Sequence, residues 1–155
     1  EESGGVIDKY TGDGLLAFWG APDPQPDHVA RACKTAAKIF QLYEGQKDDC
    51  DAKKPRLRIG LHCGPVIVGN IGFAGRINYT LVGDTVNIAQ RVESALRGVL
   101  PQQPVVIAAT STVLANRNFE LGGIREAERL EASFGPVYRC VPSQLSSVEE
   151  KHGFG

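Results

Sequence analysis

Residues 6–19 read VIDKYTGDGLLAFW, in which two apolar-rich runs, at 6–10 and 15–19, flank the tetrapeptide Thr11-Gly12-Asp13-Gly14. A glycine-bearing break between two short runs of this kind is typical of a tight turn between antiparallel strands. The stretch therefore predicts a β-hairpin with Asp13 at its tip. Residues 21–27 follow with three prolines, which exclude regular structure and predict a connector.

Two amphipathic helices are predicted further along the chain. The first begins after Asp27, a suitable N-cap, and its apolar positions recur with the helical period to form one stripe: Val29, Cys33, Ala36, Phe40 and Tyr43. This stripe is expected to pack across a sheet. The second helix is predicted to begin at Asp84 or Thr85 and to end near residue 97, with these apolar residues inward: Ile88, Val92 and Ala95.

The remaining segments predict short strands between glycine-rich, proline-bearing and charged loops. Residues 56–62 alternate in polarity, which indicates a strand with one buried face. Further strands are predicted at 66–68, 78–82, 105–109, 119–125 and 137–141, a short helix capped by Thr110 or Ser111, and loops at 69–76 and 128–136. No dinucleotide-binding βαβ fingerprint occurs, so the predicted fold is α+β with a mostly antiparallel sheet.

The composition is that of an ordinary folded domain. Hydrophobic residues make up 42% and charged residues 23% of 155 residues, enough for one domain with a substantial core. The net charge of −1 favours neither a nucleic-acid nor a membrane partner, and no apolar run could span a bilayer.

Residues 1–142 are predicted to form the domain, and the polar residues 143–155 a frayed tail or linker. The four cysteines fit no metal-binding spacing and are predicted to be reduced thiols of a cytoplasmic protein.

Two groups of side chains are suited to phosphate chemistry. Asp13, with a glycine on either side, presents carboxylate oxygens that suit a hard cation such as Mg²⁺, although a plain turn also explains Gly-Asp-Gly. Asn87 and Arg91 are four residues apart and therefore share one face of the second predicted helix. An amide and a guanidinium placed together can fix a ribose and bind a phosphate. The alternative interpretation of this pair is a solvated helix face.

The motifs together resemble the class III adenylyl and guanylyl cyclases. They are Lys-x-x-Gly-Asp-Gly from Lys9, an alternating strand that ends before Gly64, and Tyr-Thr-x-x-Gly-x-x-Val-Asn-x-Ala-x-Arg from Tyr79. The likeness covers roughly residues 4–141. It implies the ferredoxin-like palm of that family and a head-to-tail homodimer with two active sites at the interface.

The resemblance also implies a role for each matching residue. Asp13 corresponds to the second of two aspartates that bind two Mg²⁺ or Mn²⁺ ions. Asn87 corresponds to the asparagine that orients the ribose, and Arg91 to the arginine that stabilises charge on the transferring phosphate. Lys9 and Thr80 correspond to the pair that reads the purine base. In the family the aspartate serves one site of the dimer and the other four residues serve the second site.

The base-reading pair favours ATP over GTP. A lysine is a donor suited to the adenine ring nitrogen, and a threonine hydroxyl accepts from the 6-amino group. Guanylyl members of the family typically carry a glutamate at the position of Lys9, whereas Thr80 is similar to the subgroup called class IIIb. The predicted activity is therefore conversion of ATP to 3′,5′-cyclic AMP and pyrophosphate by a two-metal mechanism, with a guanylyl cyclase as the alternative.

Two departures from the family pattern bear on activity. The first metal aspartate of the family lies on a strand upstream of the hairpin, and no such strand precedes Val6, so residues 1–155 alone are expected to be inactive. The family lysine that contacts the triphosphate near the last strand is also missing, and Arg129 is a candidate replacement. These departures keep open a non-catalytic regulatory or dimerisation module derived from a cyclase. A ferredoxin-like domain of another function is the remaining alternative. The chain is expected to be the cytoplasmic catalytic portion of a longer protein.

Overall fold

A computed structural model describes residues 3–12, 14–45, 56–73, 76–99 and 104–143 of the chain. Helices and strands follow in the order β1 (Val6–Thr11), β2 (Gly14–Phe18), α1 (His28–Gly45), β3 (Leu57–Leu61), β4 (Ile67–Phe73), β5 (Arg76–Val82), α2 (Asp84–Val99), β6 (Val105–Ala109), α3 (Ser111–Leu114), β7 (Ile124–Ala132) and β8 (Gly135–Pro142). A short 3₁₀ helix, Phe119–Gly122, precedes β7. The predicted α+β class is confirmed.

The central sheet of the described residues has four strands in the order β3-β6-β8-β7. Strands β3 and β6 are parallel, in register from Leu57↔Val105 to Leu61↔Ala109, and the other two pairings are antiparallel. Two separate antiparallel hairpins, β1-β2 and β4-β5, complete the described strands. The expectation of a mostly antiparallel sheet is therefore correct, with one parallel pair at its edge.

Helices α1 and α2 cover opposite faces of this sheet, and central strand β6 is buried between them. Because successive side chains on a strand alternate in direction, Ile107 packs in the cluster under α1 while Val106 packs in the cluster under α2. The stripe predicted for α1 is confirmed, with Tyr43 only partly buried. In α2 the fully buried residues are Val92 and Leu96, and Leu96 was missed in the sequence prediction.

A β-bulge in β7 lets one strand serve both faces. Ile124 packs in the α1 cluster and Leu130 in the α2 cluster, although an even spacing would place both side chains on one face. The register against β8 shifts between Glu126 and Glu128, and this extra residue reverses the alternation. Both ends of β7 therefore contribute to the core.

Three predicted segments need correction. Residues 69–76 were predicted as a loop, yet β4 and β5 pair from Ile67↔Val82 to Phe73↔Arg76; glycines hide strand alternation without preventing backbone pairing. Residues 119–125 were predicted as a strand, but the 3₁₀ helix occupies most of them and Gly123, at φ +73°, leads into β7. Residues 128–136 were predicted as a loop, but they form the β7-β8 hairpin, whose outer strand is an edge and therefore tolerates charges.

Candidate active site

Helix α2 is fixed to strand β3 by contacts that leave little room for movement. A Cβ atom added to Gly60 would lie 2.7 Å from the backbone nitrogen of Glu93, so strand and helix meet backbone against backbone. The Glu93 carboxylate accepts from Arg58 Nε at 3.2 Å across the same contact. At the start of the helix, the Thr85 hydroxyl donates to the carbonyl oxygen of Pro65 at 2.6 Å. Anything carried on the outer face of α2 is therefore held by the sheet.

Asn87 and Arg91 occupy that outer face, one turn apart, and both are exposed. Their position opposite the buried Val92 and Leu96 follows from the helical period. Among the described residues, neither side chain has a hydrogen-bond or ion-pair partner. The structure thus brings the two residues together on a rigid element with their polar groups available to a ligand.

Strands β1 and β5 hold the two residues predicted to read a base. Lys9 is exposed on β1, opposite Leu16 of β2 and next to a bulge between Ile7 and Lys9. Thr80 lies on β5, where its backbone pairs with Gly69, and β1 contacts β5. The two strands that carry these positions are therefore neighbours.

The predicted metal ligand, Asp13, lies outside the described residues. Strand β1 ends at Thr11, opposite Gly14 at the start of β2, and Gly12 of the turn between them adopts φ +60° with open space around it. A positive φ suits glycine at such a turn, so the predicted β1-β2 hairpin is confirmed. Histidine, cysteine, aspartate and glutamate residues nowhere form a metal-binding group of three in the described ranges.

Arg129, the predicted contact to a triphosphate, is an exposed residue in strand β7. Its Nε atom lies 3.0 Å from Oε1 of Glu131 on the same strand. Neighbouring Leu130 faces α2, so Arg129 points to the other face of the sheet. Within one chain, Arg129 is therefore on the opposite side of the sheet from Asn87 and Arg91.

One group near α2 escaped the sequence prediction. His62 was not among the predicted site residues, but its imidazole contacts Thr110, which follows β6. The two residues lie 48 positions apart, so no local pattern links them.

None of the described helices has the length and apolar character needed to cross a bilayer.

Comparison with known proteins gives a consistent result. The profile of the family described as adenylate and guanylate cyclase catalytic domain matches residues 8–131. The chain is 33% identical over 120 residues to an adenylate cyclase of Anabaena cylindrica, covering 75% of this chain and 23% of that protein. It is 34% identical over 92 residues to adenylate cyclase 1 of Rhizobium meliloti, covering 57% of this chain and 14% of that protein. The chain thus spans less than a quarter of either relative.

Solved structures extend the likeness to the fold. The non-canonical dimeric guanylyl cyclase domain of the RhoGC fusion protein from Blastocladiella emersonii superposes with a TM-score of 0.68 at 28% identity, over 91% of this chain and 72% of that one. The predicted likeness to a class III cyclase domain is confirmed in sequence and in fold. The chain belongs to the adenylate and guanylate cyclase catalytic domain family.

Proposed function

We propose that this chain is the catalytic domain of an adenylyl cyclase that converts ATP to 3′,5′-cyclic AMP and pyrophosphate. The observation that carries the proposal is the Asn87–Arg91 pair, exposed one turn apart on a helix that is locked to the sheet. A surface guanidinium with no partner among the described residues is available to bind phosphate. The adenylate cyclases of Anabaena and Rhizobium support the choice of reaction.

The proposed reaction is an in-line displacement at the α-phosphorus. The ribose 3′-oxygen loses its proton and forms a bond to the α-phosphorus, while the bond from that phosphorus to the pyrophosphate oxygen breaks. Asn87 orients the ribose so that the 3′-oxygen faces the phosphorus. Arg91 donates to the phosphate oxygens on which charge grows, and one well-placed donor of this kind contributes on the order of 3 kcal/mol.

A second copy of the chain is needed for this chemistry. Asn87 and Arg91 are exposed in the single chain, where water would weaken any charge stabilisation that Arg91 provides. We infer that the partner of a head-to-tail homodimer covers this face and supplies the carboxylate of its own Asp13. The RhoGC domain, solved as a non-canonical dimer, supports only the ability of such a domain to dimerise. Each site would then combine Lys9, Thr80, Asn87 and Arg91 of one chain with Asp13 of the other.

The preference for ATP is assigned to Lys9 and Thr80. The Lys9 ammonium would donate to a ring nitrogen of adenine, and the Thr80 hydroxyl would accept from the 6-amino group. The neighbouring strands β1 and β5 support a joint role for the two positions. A guanine would instead present an N–H to the Lys9 ammonium, and two donors repel each other.

Asp13 is the one residue of this chain that we assign as a ligand of the divalent cations. Class III cyclases generally use such ions, and a carboxylate flanked by glycines suits Mg²⁺ or Mn²⁺. The described residues do not by themselves form a metal site. The resemblance implies that the second carboxylate of a two-ion site lies on a strand upstream of the β1-β2 hairpin.

Arg129 remains the proposed triphosphate contact, but it lies on the opposite face of its own sheet from Asn87 and Arg91, so it would have to serve the other site of the dimer. To bind the triphosphate, Arg129 would have to break its ion pair with Glu131 and donate to a phosphate oxygen instead. An exposed ion pair of this kind contributes only about 0–1 kcal/mol, so the exchange would cost little.

The proposal is tested with the full-length protein that carries this chain. Initial rates with ATP and with GTP at equal concentration, in the presence of Mg²⁺ or Mn²⁺, should favour ATP. Lys9→Glu should lower the rate with ATP and narrow or reverse this preference. Lys34→Glu, which makes the same charge change at an exposed position of α1, should leave the ratio unaltered.

Two outcomes would contradict the proposal. Equal or faster turnover of GTP by the wild-type protein would make it a guanylyl cyclase. A folded dimer that turns over neither nucleotide would favour the non-catalytic module.

A further inference from the structure

A hydrogen-bonded network lies at the carboxyl end of the parallel pair β3-β6. His62 follows β3 and Thr110 follows β6, so the pairing brings both to one edge. His62 Nδ1 lies 2.7 Å from Thr110 Oγ1, which lies 2.9 Å from Thr112 Oγ1. The Thr112 hydroxyl donates to the carbonyl oxygen of Cys63 at 3.2 Å, and its oxygen also lies 3.3 Å from His62 Nδ1. These four groups are the His62 network.

The four contacts of the network share at most three protons, and asking which group can donate to which assigns the tautomer of His62. The Cys63 carbonyl is only an acceptor, so the Thr112 hydroxyl donates to it and accepts from Thr110. The single proton of Thr110 is then used, so the remaining proton is on His62 Nδ1. In the other tautomer two protons would serve four contacts, and Nδ1 would meet at least one hydroxyl oxygen lone pair to lone pair.

Acid does not remove this proton. With hydrogen on Nδ1, the lone pair of neutral His62 is on Nε2, and that atom accepts the second proton. Partial burial lowers the pKa of His62, which keeps the ring neutral at pH 7. The His62 network is therefore intact in both charge states of the ring.

The far side of the imidazole faces the turn against which α2 begins. A Cβ added to Gly64 would lie 3.7 Å from His62 Nε2 and 2.8 Å from Thr85 Oγ1. Thr85, in the first turn of α2, donates to Pro65. Residues 62–65 are thus held between the His62 network on one side and the start of α2 on the other.

We propose that His62 is a positioning residue for the candidate active site, which acts through the Gly64-Pro65 turn on the first turn of α2. The role in catalysis rests on the function proposed above for Asn87 and Arg91, whereas the tautomer rests on the geometry of the network alone. His62 touches no substrate in this scheme. Its effect is to keep α2 in place, because a misplacement of about 1 Å can cost about a hundredfold in rate.

The first test is the tautomer, read by nitrogen NMR of ¹⁵N-histidine in the full-length protein above the pKa of His62. We expect the Nδ1–H form in the wild-type protein and in Thr110→Ser, which keeps the hydroxyl. Thr110→Val removes the acceptor of that proton and should raise the population of Nε2–H. A wild-type Nε2–H ring would overturn the assignment.

The second test asks whether the network holds α2. Hydrogen exchange of the backbone amides of residues 85–88 should be faster in Thr110→Val than in Thr110→Ser. The kcat with ATP should fall by about tenfold to a hundredfold in Thr110→Val and stay near wild type in Thr110→Ser. Equal exchange, or equal kcat, in these two variants would overturn the positioning role.

The third test is rescue at His62 itself. In asparagine the amide nitrogen is as many bonds from the backbone as imidazole Nδ1, so His62→Asn keeps the donor and should keep most of the activity. His62→Leu keeps bulk without the donor and should lose activity like Thr110→Val. Equal loss in both variants would contradict a role for the Nδ1 proton. If the wild-type protein forms no cyclic nucleotide, the proposed function fails, while the tautomer and the exchange rates still decide the structural claim.

Discussion

Gly60 of β3 packs directly against the backbone of Glu93 in α2, where an added Cβ would lie 2.7 Å from the Glu93 backbone nitrogen. The same added atom would lie 2.9 Å from the carbonyl oxygen of Ala89. Both neighbours belong to the helix backbone, which cannot rotate away as a side chain can. The position of α2, and with it the Asn87–Arg91 pair, therefore depends on the absence of one methyl group.

Gly60→Ala should destabilise the domain and displace α2. Overpacking of this kind costs typically about 1–3 kcal/mol, and here the strained atoms are backbone. The free energy of unfolding from urea titration measures the loss, and the kcat of the full-length protein should fall with it.

Gly98→Ala is the matched control, because a Cβ there meets nothing within 4 Å on the exposed end of the same helix. Alanine is favoured over glycine in a helix by about 0.5–1 kcal/mol, so this variant should be as stable as wild type or more stable. A Gly60→Ala protein as stable as Gly98→Ala would show that β3 and α2 are not in backbone contact.

The buried thiols should be chemically protected in the native state. Burial raises the pKa of Cys33 and of Cys140 to about 12, so neither forms an appreciable amount of thiolate near neutral pH. Alkylation by iodoacetamide at pH 8, followed by peptide mass spectrometry, should leave both unmodified in the folded protein. Cys63 is partly exposed and should react first of the three. Modification of Cys33 at the rate of Cys63 would contradict the packing of the α1 cluster.

His62 should make stability depend on pH in the mildly acid range. Burial disfavours its charged form and lowers its pKa below the ordinary 6.5. The unfolded chain then binds a proton before the folded one does, so this contribution is complete above pH 6.5 and is lost as the pH falls through the folded pKa. Urea unfolding between pH 5 and pH 8 measures it, with His62→Asn as the reference. An identical pH profile in the two proteins would exclude the shift.

Complementation tests the shared active site of the proposed dimer. If Asp13 and Arg91 of one chain serve different sites, Asp13→Ala and Arg91→Ala homodimers are both inactive. In a mixed dimer one site collects both lesions and the other collects none. Mixing the two variants should therefore restore activity towards about half the wild-type rate per mixed dimer, because charge stabilisation acts only over a few ångströms.

The positive control is a mixture of Asp13→Ala with Lys9→Ala. It should also recover cyclase activity, because Asp13 and Lys9 of one chain are assigned to different sites. Asn87→Ala mixed with Arg91→Ala should not recover, because each of the two sites then carries one of the two lesions. Failure of both Asp13→Ala mixtures, with subunit exchange confirmed by mass, would mean that the site is not shared in this way.

Local periodicity was enough to predict most of the elements. The stripe of α1 and the inward position of Val92 follow from the helical period, and the Gly12 turn follows from its neighbours. Only the start of β4 was predicted, at 66–68, because the glycines of residues 69–73 leave no apolar alternation. The bulge between Glu126 and Glu128, which turns Leu130 to the other face, also has no counterpart in a simple pattern.

The candidate site was predictable only where one element carries it. Asn87 and Arg91 could be placed together because they are one helical turn apart. The contacts of Gly60 with Glu93 and of His62 with Thr110 join segments that are distant in sequence, and only the folded sheet reveals them. Sequence could therefore suggest which groups bind a nucleotide, but not what holds them in position.

The parallel β3-β6 pair also has a consequence for the order of folding. The β7-β8 hairpin joins two strands that are adjacent in the sequence, so it can form within a short piece of chain. Strand β3 can pair only after β6 is available, and His62 can contact only a residue 48 positions later, Thr110. Closing so long a loop costs conformational entropy before the contacts between the strands have formed. The pairing of β3 with β6 has a high contact order and should therefore be slow. On the ribosome, α2 would emerge before the strand that completes its binding face. The helix that carries Asn87 and Arg91 would thus acquire its final position late in synthesis.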